Sequence, residues 1–143
     1  MDDQFKPRPV APWYVFAAIG SLVFMLLGCI ALFMHLTADP AMLPLDQRAL
    51  FEAEPSWVVA SSCVGFVAGA IGSLLLLMRR KFAEPILLVS LLAMLVWLAG
   101  MAGTPQFRDL LSPNQIALVL VVVAVVWTIY WFARHSRQRQ WLR

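Results

Sequence analysis

The chain has 143 residues, 62% of them hydrophobic and 13% charged, with a formal net charge of +3. Soluble domains run at roughly 45–50% apolar and about 25% charged residues, so this composition excludes a soluble fold built on one core. The positive charge does not point to nucleic acid either, because the basic residues sit in short clusters beside apolar runs and form no continuous face.

The first apolar run, Trp13 to Leu36, has no charged residue and is long enough to cross a hydrocarbon core of about 30 Å as a helix. It exceeds the apolar stretch of a signal peptide, about 7–15 residues, and is read as a retained helix. Gly20, Ser21 and Gly28 give it small residues against which another helix could pack. His35, near its end, carries the side-chain type whose charge changes near neutral pH, and its position predicts an interfacial histidine in reach of water.

A longer connection follows, from Thr37 to Glu54. Pro40 and Pro44 punctuate it, and Asp46 is placed to cap a short helix over Gln47–Glu54 that lies along the interface through Ala49, Leu50 and Phe51. Arg48 and Glu52 stand at helical pairing distance. Asp46, Arg48, Glu52 and Glu54, with His35 close in depth, are the candidate contacts for a solute or a partner; the simpler reading is a solvated loop.

The second run, Pro55 to Met78, repeats small residues at Ser61, Gly65, Gly69 and Ser73. That spacing lets two helix backbones approach closely in lipid, with Gly28 as a complement on the first run. Gly100, off this stripe, is expected to tolerate a larger side chain better than Gly69. The third run is Pro85 to Gly103 and the fourth Pro113 to Ala133. Pro55, Pro85 and Pro113 open their runs, where a missing N–H is harmless.

The fold expected is therefore all-α: one domain, a bundle of four transmembrane helices at 13–36, 55–78, 85–103 and 113–133, with a short interfacial helix in the first external loop. Helices are required because unpaired backbone groups are too costly in lipid. Direction follows from the basic residues. Lys6, Arg8, Arg79, Arg80, Lys81, Arg134, Arg137, Arg139 and Arg143 fall on one side, against Arg48 and Arg108 on the other. Nine against two places both termini and the 79–84 turn in the cytoplasm. Trp13, Tyr14, Trp57, Tyr130 and Trp131 read as anchors at headgroup depth.

No catalytic constellation can be assembled at one depth, and no phosphate-binding glycine loop or HExxH occurs. Cys29 and Cys63 are too few for a metal site and read as packed thiols, so neither metal nor cofactor is expected. The serines of the runs and Thr128 provide few mid-membrane polar groups for a hydrophilic solute. The function expected is non-enzymatic: association of helices, as an accessory subunit of a membrane complex or a small homo-oligomer. The alternative is a small-solute, sugar-like transporter formed by oligomerisation.

Four stretches carry a resemblance. Pro12-Trp13 ahead of a long helix, Glu54-Pro55-Ser56-Trp57, Gly72 through Arg80, and Trp131-Phe132-Ala133-Arg134 running on to Trp141-Leu142-Arg143 resemble a family of small bacterial membrane proteins. The family often carries a sugar-transporter label. The resemblance spans nearly the whole chain and implies four helices in a bacterial inner membrane. Members place a Trp-Asn pair in the first helix where this chain has Phe24 and Met25, so the family's amide is missing here.

Overall fold

A computed structural model describes residues 9–142, so Lys6, Arg8 and Arg143 of the charge count lie outside the described residues. The described chain is helical throughout and contains no strand. Its order is α1 (Trp13–Thr37), a 3-10 turn (Pro40–Met42), α2 (Leu45–Ala53), α3 (Ser56–Leu77), α4 (Ala83–Gly103), α5 (Pro105–Leu110) and α6 (Pro113–Gln138). Four of these, α1, α3, α4 and α6, are long and apolar enough to cross a membrane.

Local chemistry moves several boundaries. Helix α4 starts at Ala83, two residues ahead of Pro85. Proline is harmless there because the first N–H groups of a helix have no internal acceptor. Helix α6 opens with a capping box: Ser112 accepts from the Gln115 N–H while the Gln115 side chain accepts from the Ser112 N–H. It then runs five residues past Ala133, so the basic tail is helical, and Arg137 ties it to Glu84 at 2.7 Å. Asp46 does not cap α2. That helix starts at Leu45 directly after Pro44, whose extended backbone ends the loop, and Asp46 sits in the first turn, where a carboxylate still suits the helix dipole.

Helix α3 is central, packing on α1 and on α4, while α4 also packs on α6. Its buried seam is Val58, Ser62, Gly65, Gly69, Gly72 and Leu76, with Ser73 beside it. These positions alternate by three and four and so keep to one face. The expected stripe at strict fourth positions instead drifts by about 40° per step, at about 100° per residue. Ser61 consequently leaves the contact face and donates to its own Trp57 carbonyl, whereas Gly65, Gly69 and Ser73 remain buried.

Each glycine of the seam receives a specific neighbour. Gly65 faces Met94, Gly69 faces Met25 and Ser90, and Gly72 faces Leu87. Gly28 of α1 receives the Phe66 ring, but Gly20 faces open space and is no part of the contact. Ser90 donates across to the Gly65 carbonyl at 2.6 Å, an interhelical bond that this close approach permits. The expected latitude at Gly100 is corrected: a Cβ there would stand 2.6 Å from Val58 Cγ2 and 2.7 Å from Trp57 Cη2, so the position is as crowded as Gly69.

The end of the bundle that carries the termini is closed by aromatic rings. Phe132 lies between Trp13 and Tyr14, at 5.5 and 5.3 Å between ring centroids, and Trp141 meets both of those rings edge-on. Tyr14 is therefore a core residue and no interfacial anchor: it is fully buried and its hydroxyl donates to the Leu76 carbonyl near the end of α3. Trp13, Trp57 and Trp131 stay exposed, as anchors require. Trp141 reaches the cluster because α6 ends in a Schellman turn. The Trp141 and Gln140 N–H groups bond back to Ser136 and Arg137, with Gln140 left-handed at φ 59°. Arg79 ends α3 the same way, at φ 58°.

Candidate cleft between the first and last long helices

The inner seams of α1 and α6 thin toward the end that carries the connections. Along α1 the stripe Tyr14, Ala18, Ser21, Met25 is buried, and its continuation Gly28, Leu32, His35 is only half-buried. Along α6, Val126, Ile129 and Ala133 are buried, while Gln115, Val119 and Val122 are half-buried. These two helices do not pack on each other along their length. At the termini end large rings fill the gap between them. At the other end the facing residues include Ala31, Val119 and Val122, too small to do so.

The result is a cleft of about 600 Å³, within the range of about 300–1,000 Å³ for ligand sites. Ala31, Met34 and His35 of α1 form one wall, Gln115, Val119 and Val122 of α6 the other, and Trp97 and Met101 of α4 the back. Helix α2 contributes Gln47, Leu50 and Phe51, which share one face at helical spacing, Glu54 follows as its C-cap residue, and α5 adds Phe107. Val58, Met101 and Phe107 form a small core against which Leu50 and Ala53 pack, holding α2 in place. Met34 and Leu118 line the cleft yet are two-thirds exposed, at 65% and 64%, so its mouth opens sideways between α1 and α6.

One polar couple sits in this apolar setting. His35 Nε2 stands 2.9 Å from Glu54 Oε2, with the imidazole N–H donating to the carboxylate. The His35 ring also lies against Phe51, 5.1 Å between centroids. The Glu54 side chain is only 12% exposed against 40% for His35, so the carboxylate is the inner partner. Two further polar groups, Ser73 Oγ and Trp97 Nε1, are buried without a hydrogen-bond partner among the described residues.

The structure thus divides the candidates of the first loop. Glu54 turns inward and joins His35 in the cleft; Asp46, Arg48 and Glu52 are exposed outside it. The Arg48–Glu52 pair forms at 2.9 Å as the spacing predicts, on the solvated side. His35 lies in the last turn of α1, its side chain 40% exposed, and is bound to Glu54. Sequence reasoning missed Gln47, Trp97 and Gln115 as lining residues. The periodicity of α2 could have found Gln47, three residues before Leu50 and seven before Glu54. Nothing in the sequence signals Trp97. Cys29 and Cys63 are free thiols. No protein-family model, no curated protein and no solved structure matches the chain.

Proposed function

We propose that this chain is a non-enzymatic, multi-pass protein of the bacterial cytoplasmic membrane, with both termini in the cytoplasm, that works by association inside the bilayer. The surface of association is the cleft between α1 and α6. The observation that carries this reading is the cleft itself, laterally open, apolar and furnished with a single His35–Glu54 couple. The small-residue stripe, read as a face for close helix packing, is filled within the chain: Met94 meets Gly65, and Met25 and Ser90 meet Gly69. Its role is to hold α1, α3 and α4 together behind the cleft. The chain then serves as an accessory subunit or as one copy of a small homo-oligomer.

A photo-reactive amino acid at Leu118, on the mouth of the cleft, tests this in native membranes. The expected result is one dominant adduct absent from a control with the same group at Ile19, a residue 44% exposed that does not line the cleft. Equal, diffuse labelling at both positions would overturn the reading. Orientation is tested separately. Reporter fusions after Arg80 should register as cytoplasmic, and fusions near Asp46 and Asp109 as external. A cytoplasmic signal at Asp46 would reverse the topology. The support for this orientation is the charge bias: all the described Lys and Arg residues except Arg48 and Arg108 lie at the termini end.

A second reading, a small-solute carrier built by oligomerisation, is favoured by one observation, the gathering of His35, Glu54 and Gln47 on a single cavity. It differs in what it demands of the bilayer: a carrier must open the cleft to both sides, whereas an associating subunit need not.

A further inference from the structure

At the end of the bundle opposite the cleft, we infer a binding site for an anionic phospholipid, with its phosphate at Arg79 and its acyl chains against the neighbouring exposed rings. Charge is the first observation. The segments 1–12, 78–84 and 134–143, which lead into and out of this end, hold nine Lys and Arg residues against three acids, Asp2, Asp3 and Glu84. Glu84 is taken by Arg137 at 2.7 Å. Arg79, Arg80, Lys81, Arg134 and Arg139 form no ion pair among the described residues. The connection end has the opposite balance, two basic residues against five acids, so a phosphate is drawn to one end only.

Arg79 is singled out by how it is held. It is half-buried, where Arg80, Lys81, Arg134 and Arg139 are exposed. Its backbone is left-handed at φ 58°, its N–H bonds back to the Leu76 carbonyl, and its guanidinium stands over the buried Tyr14 ring, 6.0 Å from the centroid. So fixed, it loses little rotamer freedom on binding, and its planar fork of N–H donors matches two oxygens of one phosphate. A half-buried cation without a counter-ion also gains more from an anion than a solvated one does. The apolar half of the ligand follows from the rings at this level. Phe82, three residues beyond Arg79, and Trp13, next to Tyr14, are 72% and 48% exposed. A water-soluble phosphate leaves both rings unused, whereas glycerol and acyl chains cover them. A choline head would bring a further cation into a field already positive, so a zwitterionic lipid is the poorer fit.

The test uses the purified full chain in a mild non-ionic detergent and two lipids with the same tails, dioleoyl phosphatidylglycerol and dioleoyl phosphatidylcholine. Binding is read by native mass spectrometry across a concentration series. The phosphatidylglycerol should bind saturably, one per chain, and roughly tenfold more tightly than the phosphatidylcholine. Arg79→Gln should weaken its binding by about thirtyfold, the loss of a two-pronged, charge-assisted contact. Lys81→Gln removes the same charge from a solvated position and should weaken it by about fivefold at most. A large excess of glycerol phosphate, which has the head and no tails, should leave the lipid bound. Equal losses in the two variants would overturn the site in favour of diffuse attraction to a basic surface. Equal affinity for the two lipids would overturn it as well, and so would displacement by glycerol phosphate. Should Arg79→Gln fail to fold, the ranking of the lipids on the natural chain and the glycerol phosphate competition decide.

Discussion

Gly69→Leu is expected to destabilise the bundle by about 1–3 kcal/mol, read as a shift in its unfolding midpoint when a mild detergent is titrated with a denaturing one. Even a single added carbon at Gly69 would stand 2.5 Å from Met25 Sδ and 2.9 Å from Ser90 Oγ, so α1 and α4 are both pushed off α3. The leucine would also strain the bond that Ser90 donates to the Gly65 carbonyl, and a buried carbonyl without its partner costs about 1–3 kcal/mol in its own right. Gly100→Leu should cost a similar amount, because Trp57 and Val58 occupy its space. The proper controls are Gly20→Leu and Gly103→Leu, where nothing lies within 4 Å. Both should be neutral or slightly stabilising, since glycine is a poor helix former. Equal midpoints for the Gly69 and Gly20 variants would refute the packing described for α3.

Tyr14→Ala should be more damaging still, by about 3–5 kcal/mol in the same titration. The ring is fully buried beneath Phe132 and Trp141 and is the point where α1, α3 and α6 meet. Truncation leaves a cavity that Phe132 and Trp141, each already held against Trp13, cannot easily close. Tyr14→Phe keeps the packing and removes only the bond to the Leu76 carbonyl, so a loss nearer about 1 kcal/mol is expected. That difference between the two variants separates packing from hydrogen bonding. Trp127→Ala, at an equally large but exposed ring, serves as the comparison and should change little. Were the alanine variants at positions 14 and 127 equally stable, Tyr14 would have to be an interfacial anchor after all.

Much of the architecture could be read from the residues because four runs are long and apolar enough to cross a membrane, and such runs answer to a simple demand. A segment in hydrocarbon must satisfy its own backbone, so an uncharged run of the right length becomes a helix whatever its neighbours are. That is why the ends of α3 and the start of α6 fall within a residue of expectation, and why Pro113 marks its boundary so well. The i, i+4 pair of Arg48 and Glu52 was legible for the same reason, as a local consequence of helix geometry. Gly28, Gly65 and Gly69 were legible as contact points because small residues at such spacings have little other use in a membrane helix.

What the sequence could not determine is which faces meet, since in lipid apolar side chains serve equally well facing a neighbour or facing an acyl chain. Tyr14 shows this: beside an exposed Trp13 it reads as an anchor, and only the arrival of α3 and of the folded-back Trp141 makes it core. Gly100 reads as spare until Trp57 is brought against it by the packing of α3 on α4. The cleft is the strongest case. Its polar couple joins residues nineteen positions apart, its walls come from helices at opposite ends of the chain, and its void exists because α1 and α6 meet at one end and not at the other. Helix identity is a local property, set by hydrophobicity and backbone hydrogen bonding over some twenty residues. An unfilled space is a property of how side chains from distant segments fail to meet, and only the tertiary structure decides that.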